Sequence, residues 1–217
     1  MVRRIAWGAL ATVVAASAGA QVGRRGQSSA DPGYWVGLSL GYVTGLTTTD
    51  NRTNATWAFG YASQLRATLE KTVQPGLSIG VSAGFSNPSL TYDGAGFDPT
   101  CPGQCSAHAD VTQYLAFVHG GFGGYGVGFH GIYSLEGGVT EFTNFRDALT
   151  DTQLGSSSAS YDFTFGLGGG FGYTLSPTMD LYAEEVGDFI LHPQSSQVTS
   201  QTAPHTFTLR AGIRVGF

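Results

Sequence analysis

Apolar and polar residues alternate with a period of two along much of this 217-residue chain. A strand sends successive side chains to opposite faces, so the alternation predicts strands with one apolar and one polar face. In the final run, Phe207, Leu209, Ala211, Ile213, Val215 and Phe217 share one face, with Thr206, Thr208, Arg210, Gly212, Arg214 and Gly216 on the other. Between Tyr161 and Tyr173, residues Phe163, Phe165, Leu167 and Phe171 alternate with Asp162, Thr164, Gly166, Gly168, Gly170 and Gly172. Tyr34–Val43 groups Tyr34, Val36, Leu38, Leu40 and Tyr42, and Leu77–Ser86 sets Leu77, Ile79, Val81, Ala83 and Phe85 against serines and glycines. A strand over about Thr56–Glu70 is expected to carry Trp57, Phe59, Tyr61, Leu65, Ala67 and Leu69 on one face. Gly60, Gln64, Arg66 and Glu70 would take the other. Three less regular runs follow. Val111–Phe122 is apolar on both faces. Val127–Phe142 sends Phe129, Tyr133, Leu135 and Val139 out and His130, Ser134, Glu136 and Thr140 in. Met179–Ile190 sends Leu181 and Ala183 out and Tyr182 and Glu184 in.

That makes eight strands, and the connections between them run alternately long and short. Short turns fall at Pro75-Gly76, in the glycine-rich stretch between Gly120 and Gly131, and at Pro177. Composition sharpens the picture. Charged residues are 12 % of the chain, about half the usual share for a soluble domain. Glycine (33) and the aromatics (14 Phe, 10 Tyr, 3 Trp) are abundant, and mean hydropathy is near zero, which excludes a bundle of membrane helices. A bilayer-crossing strand needs about 9–11 tilted residues, which most of these runs supply. A sheet in lipid must close, or its edge donors and acceptors stay unsatisfied. The fold class expected is therefore all-β: a closed antiparallel eight-stranded transmembrane β-barrel with short periplasmic turns and long extracellular loops.

Residues 1–20 read as a signal peptide, with Arg3 and Arg4, an apolar core over Ile5–Ala16 and small residues at Ala18-Gly19-Ala20. Residues 21–32 read as a flexible periplasmic lead-in, and 33–217 as the barrel. The net charge of −5 becomes more negative once Arg3 and Arg4 are removed, which argues against nucleic acid as a partner.

Apolar residues at alternate positions counted back from a terminal Phe (Leu209, Ala211, Ile213, Val215, Phe217), together with eight alternating runs, resemble the small eight-stranded outer-membrane barrels: the OmpA transmembrane domain, OmpX and the opacity-type surface proteins. The resemblance covers about Gly33–Phe217. It implies outer-membrane localisation, a monomer, contact with membrane lipid and lipopolysaccharide, handling by periplasmic chaperones, and reading of the closing strand by the barrel-assembly machinery. It also marks a departure, since no peptidoglycan-binding domain follows the closing strand.

The inward face carries Arg66, Arg210 and Arg214 against Glu70, Glu136, Asp162 and Glu184. Unpaired charge is costly in a narrow lumen, so these residues are expected to pair, with Glu184 meeting Arg210 or Arg214. Eight strands leave an interior that side chains can fill. The expected role is thus a structural surface protein with a largely filled lumen, and a low-conductance pore is the alternative. Inward glycines would either widen the lumen or let neighbouring rings lie over the sheet. Cys101 and Cys105 most simply form a disulfide in an exported chain; zinc held with His108 and Asp98 is the alternative. No cofactor or metal is assigned. Lipid-modifying barrel enzymes pair a Ser and a His at close spacing. The nearest approach here, His192-Pro193-Gln194-Ser195 with Glu185 and Asp188, has the wrong spacing and lies in a polar loop, so no enzyme is expected. Loop residues Asp93, Asp98, Asp110, Glu141, Asp147 and Asp151, with Arg52 and Arg146, could hold Ca²⁺ but most simply solvate loops. Phe97, Phe145 and Leu149 suggest packing or a contact surface within those loops.

Overall fold

The computed structural model describes residues 32–50, 55–93, 101, 103–122, 127–154, 159–191 and 205–217. The expected signal peptide, nearly all of the lead-in, Arg52, Phe97, Asp98 and the His192–Ser195 stretch lie outside them. Every regular element described is a strand: β1 (Tyr34–Val43), β2 (Leu46–Asp50), β3 (Ala55–Phe59), β4 (Ala62–Gln74), β5 (Leu77–Ser86), β6 (Ser89–Asp93), β7 (Gln104–Phe122), β8 (Gly128–Asp147), β9 (Ser160–Ser176), β10 (Met179–Leu191) and β11 (His205–Gly216).

Eight of them are the staves of a closed antiparallel barrel, in the order β1, β4, β5, β7, β8, β9, β10, β11. The circle closes where β11 pairs with β1, from Trp35↔Gly216 to Val43↔Thr208. Exposure identifies the faces. Leu40 is 69 % and Phe129 82 % exposed, whereas Ser39, Arg66, Thr140, Thr164 and Arg210 are buried. An apolar outside around a polar inside inverts the soluble arrangement and suits a barrel wrapped in lipid. One carboxylate, Glu185, is exposed on this outer face of β10, between Ala183 and Gly187.

The short turns gather at one end of the barrel. Pro75-Gly76 joins β4 to β5, with Gly76 at φ 75°, where a side chain would be strained. At the other end the staves run farther than the pattern suggests. β7 begins at Gln104 rather than near Val111, β8 continues to Asp147 rather than Phe142, and β6 occupies part of the expected loop. β2, β3 and β6 prolong three neighbouring staves, with β3 pairing to both β2 and β6, and β6 pairing to the start of β7. These polar stretches read as loops because they lack an apolar outer face, yet their backbone groups pair.

One expectation is corrected here. Trp57 and Phe59 do not share the outer face with Tyr61 and Leu65. The chain breaks pairing at Gly60–Tyr61 and its alternation shifts by one residue. Phe59 then lies opposite Leu90 and Trp57 opposite Tyr92 on an inner face. Gly60 donates its N–H to Ser89 O at 2.7 Å, an approach so close that a Cβ would meet the Ser89 side chain at 2.9 Å.

Candidate functional site

The lumen is filled in layers, each built from inward positions of several staves. Nearest the short turns, Arg214 on β11 lies over the Trp35 ring at 4.8 Å. Its guanidinium donates to Asp180 at 2.9 Å and to Glu70 at 3.3 Å. Glu70 also accepts from Ser78 at 2.6 Å and lies 3.3 Å from His119 Nδ1. His130 Nε2 sits 3.2 Å from Asp180, outside hydrogen-bond alignment.

The next layer is a four-member ion cluster. Arg66 on β4 grips Glu136 on β8 with two parallel bonds, at 3.2 and 2.7 Å. Arg210 on β11 reaches the same carboxylate at 3.2 Å and holds Glu184 on β10 at 2.8 Å. Ser134 completes the Glu184 carboxylate at 3.0 Å. Phe117 backs Arg66, with its ring centre 5.5 Å from the guanidinium. Bidentate, fully desolvated pairs of this kind are the strong form of the interaction and fix orientation.

Above the cluster, Gln64 donates to Gln113 at 2.7 Å and Thr140 meets Thr164 at 2.6 Å. Val186 and Leu115 are buried beside them, and one oxygen of buried Asp188 has no hydrogen-bond partner among the described residues. Glycines accommodate the filling: a Cβ at Gly166 would strike Asp188, one at Gly168 would strike Ser134, and one at Gly172 would strike His130. They give room to neighbouring side chains rather than widening a channel.

At the long-loop end the lumen is roofed by apolar side chains. Leu46, Phe142 and Ile190 form one buried group, with Phe59, Val111 and Phe145 against it. Leu90, Tyr92, Cys101, Ala107 and Ala109 form another, packed by Trp57, Phe145 and Leu154. Trp57 stacks on Tyr92 at 5.2 Å, and Phe145 meets Trp57 edge-on at 5.6 Å.

The charged lumen residues, the two cysteines and the closing strand singled out by sequence all fall among the described residues. Arg66, Glu136, Glu184 and Arg210 form one cluster. Glu70 and Arg214 belong to the layer beneath, so Glu184 meets Arg210 and not Arg214. Register explains the choice, because Glu184 lies opposite Arg210 and Asp180 opposite Arg214. Asp162 is buried on the inner wall opposite Thr140, above the cluster. Cys101 and Cys105 form a disulfide, which takes both sulfurs out of any ligand set, and Cys101 is buried in the roof rather than lying in a solvated loop. Leu209, Ala211, Ile213, Val215 and Phe217 all point outward along β11.

Several loop carboxylates serve local structure. Asp110 accepts from Asn87 and Asn144, each at 2.6 Å. Asp147 caps the turn through the N–H groups of Leu149 and Thr150, both at 2.9 Å. Glu141 accepts from Tyr161 at 2.9 Å, and Asp151 pairs with Arg146 at 3.2 Å. Phe145 packs in the roof, whereas Leu149 is exposed.

Asp180, His119 and Gln113 are further buried residues of the lumen, and the alternating pattern points to only the first of them. Counting back in twos from Glu184 reaches Asp180, so that signal was present. His119 and Gln113 are inward on β7, where apolar residues on both faces hide the phase.

No protein-family model matches the chain, and no curated protein matches it by sequence. Solved structures do match by fold. Neisserial surface protein A (NspA) superposes with a TM-score of 0.57 at 14 % identity, over 85 % of this chain and 97 % of that one. The outer membrane protein OprG from Pseudomonas aeruginosa gives a TM-score of 0.48 at 15 % identity, over 86 % and 98 % of the two chains. The likeness to NspA establishes the fold: this chain is a small eight-stranded barrel of the outer-membrane type, as the alternating strands implied.

Proposed function

We propose that this chain is an integral outer-membrane protein with a closed, non-conducting barrel, which turns its long-loop end to the cell surface and its short turns to the periplasm. The observation that carries this reading is the reach of the ion cluster. Glu136 joins Arg66 to Arg210, and three steps around the eight-stave circle separate β8 from β4 and from β11. Those bonds cross the lumen rather than running along its wall, so they obstruct it. The apolar roof is a second obstruction. Function then resides in the surface of the prolonged staves and loops, whose ligand is open. Membrane lipid, lipopolysaccharide, periplasmic chaperones and the assembly machinery are the partners this placement implies.

We assign no catalytic role. Ser78, Glu70 and His119 are neighbours, but Ser78 donates its hydroxyl to the carboxylate and not to the imidazole. A nucleophilic serine needs the base on its own oxygen.

The test is conductance of the refolded protein in a planar bilayer, beside the double variant Arg210→Ala with Arg214→Ala. The parent is expected to show no steady current, and the variant, which keeps the Arg66–Glu136 bridge and the roof, to show a small intermittent leak. Stable openings in the parent would reverse the reading and make the barrel a small-solute pore lined by the same arginines.

A further inference from the structure

We infer that the lipid-facing wall carries a built site for one glycerophospholipid of the periplasmic leaflet, with its phosphate at Lys71 and an acyl chain along the groove above. The inference rests on the membrane placement proposed above. Lys71 is the single lysine of the chain. It sits on the outer face of β4 near the short-turn end, and its ammonium has no ion-pair or hydrogen-bond partner among the described residues. Tyr34 lies opposite it in register, on the same outer face, and lines the same depression.

From this point a depression of about 720 Å³ opens along the wall, bounded by Leu69, Ile79, Val81 and Leu135. That is the size of a small-molecule site. Its floor is low because Ala116 lies directly opposite Gly137, so two adjacent outward positions carry almost no side chain.

The direction of the groove selects the occupant. Lys71 pairs with Ile79, Ile79 with Val118, and Val118 with Leu135. Ile79 is two residues from the start of β5, while Leu135 is seven residues from the start of β8. Both strands start at the short-turn end. The row therefore climbs from the periplasmic boundary toward the membrane interior as it leaves the lysine. A phospholipid has the same polarity: an anionic phosphate at the boundary and a chain directed inward. A cation at one end of an apolar groove complements both parts.

The test uses the full chain refolded in detergent micelles, with folding checked by gel mobility before and after heating. Palmitoyl-oleoyl phosphatidylglycerol is added at a fixed ratio, and lipid retained per barrel is read by native mass spectrometry. The parent is expected to keep one lipid. Lys71→Met should lower retention about fivefold. Gly137→Leu fills the groove, and its Cβ would meet only Thr164 O at 3.7 Å, so the barrel should fold and lose the lipid. Leu40→Met, on a distant stretch of the outer wall, should retain it. Excess inorganic phosphate should not displace it, because the groove binds the chain as well as the headgroup. Equal retention by folded parent, Lys71→Met and Gly137→Leu would overturn the site while leaving the barrel reading intact. Displacement by inorganic phosphate would reduce it to a phosphate contact and overturn the groove. A chain that never shows a heat-sensitive folded band would overturn the membrane reading and this inference with it.

Discussion

Glu184 and Glu185 are adjacent in sequence and opposite in circumstance. Glu184 points inward, where Arg210 and Ser134 satisfy both of its oxygens. Glu185 points outward, among apolar side chains of the wall. The same substitution should therefore have opposite effects at the two positions. Glu184→Leu leaves the buried Arg210 short of a partner and is expected to cost about 3 kcal/mol. Glu185→Leu removes a charge from the lipid-facing belt and should stabilise the barrel by about 1 kcal/mol. Urea unfolding in lipid vesicles measures both, and destabilisation by Glu185→Leu would reveal a partner for that carboxylate. Residue identity alone could not separate the pair, but phase does, because Tyr182 and Glu184 share one parity and Ala183 and Glu185 the other.

Among the elements, the staves and the roof are expected to open as separate cooperative units. The staves are tied by continuous ladders around the circle. The roof depends on β2, β3 and β6, each joined to its parent stave through a break in pairing. Phe145 contacts Trp57 and Phe59 and packs on both apolar groups, so it is the central support. Phe145→Ala is expected to raise roof opening about a hundredfold, seen as hydrogen exchange in β3 and β6, without changing exchange in β9 or β10. Loss of protection in all of these strands together would show a single unit. This division also accounts for what could be read from sequence. Where lipid bounds one face, as in β1, β5, β9 and β11, alternation is clean, and the expected limits lie close to those observed. Beyond the belt, both faces of a strand meet water or other side chains, so Gln104–Asp110 and Thr143–Asp147 read as loop. Alternation also could not reveal the shift at Gly60, since Trp57 and Phe59 are as apolar as the outer residues they were grouped with. The lumen charges could be assigned because they share one parity, but their pairing depends on register, which the pattern leaves free.

Taken whole, the inner wall is electrically lopsided. Arg66, Arg210 and Arg214 face Glu70, Glu136, Asp162, Asp180, Glu184 and Asp188. Any path opened through it by removing Arg210 and Arg214 should favour cations, because rings of carboxylate select for them. In a salt gradient across the bilayer, the reversal potential of the double variant is expected to take the sign of the cation; an anion-selective leak would place the current outside the lumen. The closing seam has a consequence of a different kind, in time rather than in energy. Tyr34 and Phe217 exchange backbone bonds at 3.2 and 2.9 Å, so the last residue of the barrel completes the strand at its beginning. Contacts so distant along the chain form late and slowly. Until β11 has emerged and docked, β1 and β10 each present a bare edge, and every earlier stave waits in a sheet that can neither enter lipid as a finished wall nor be left unattended in water.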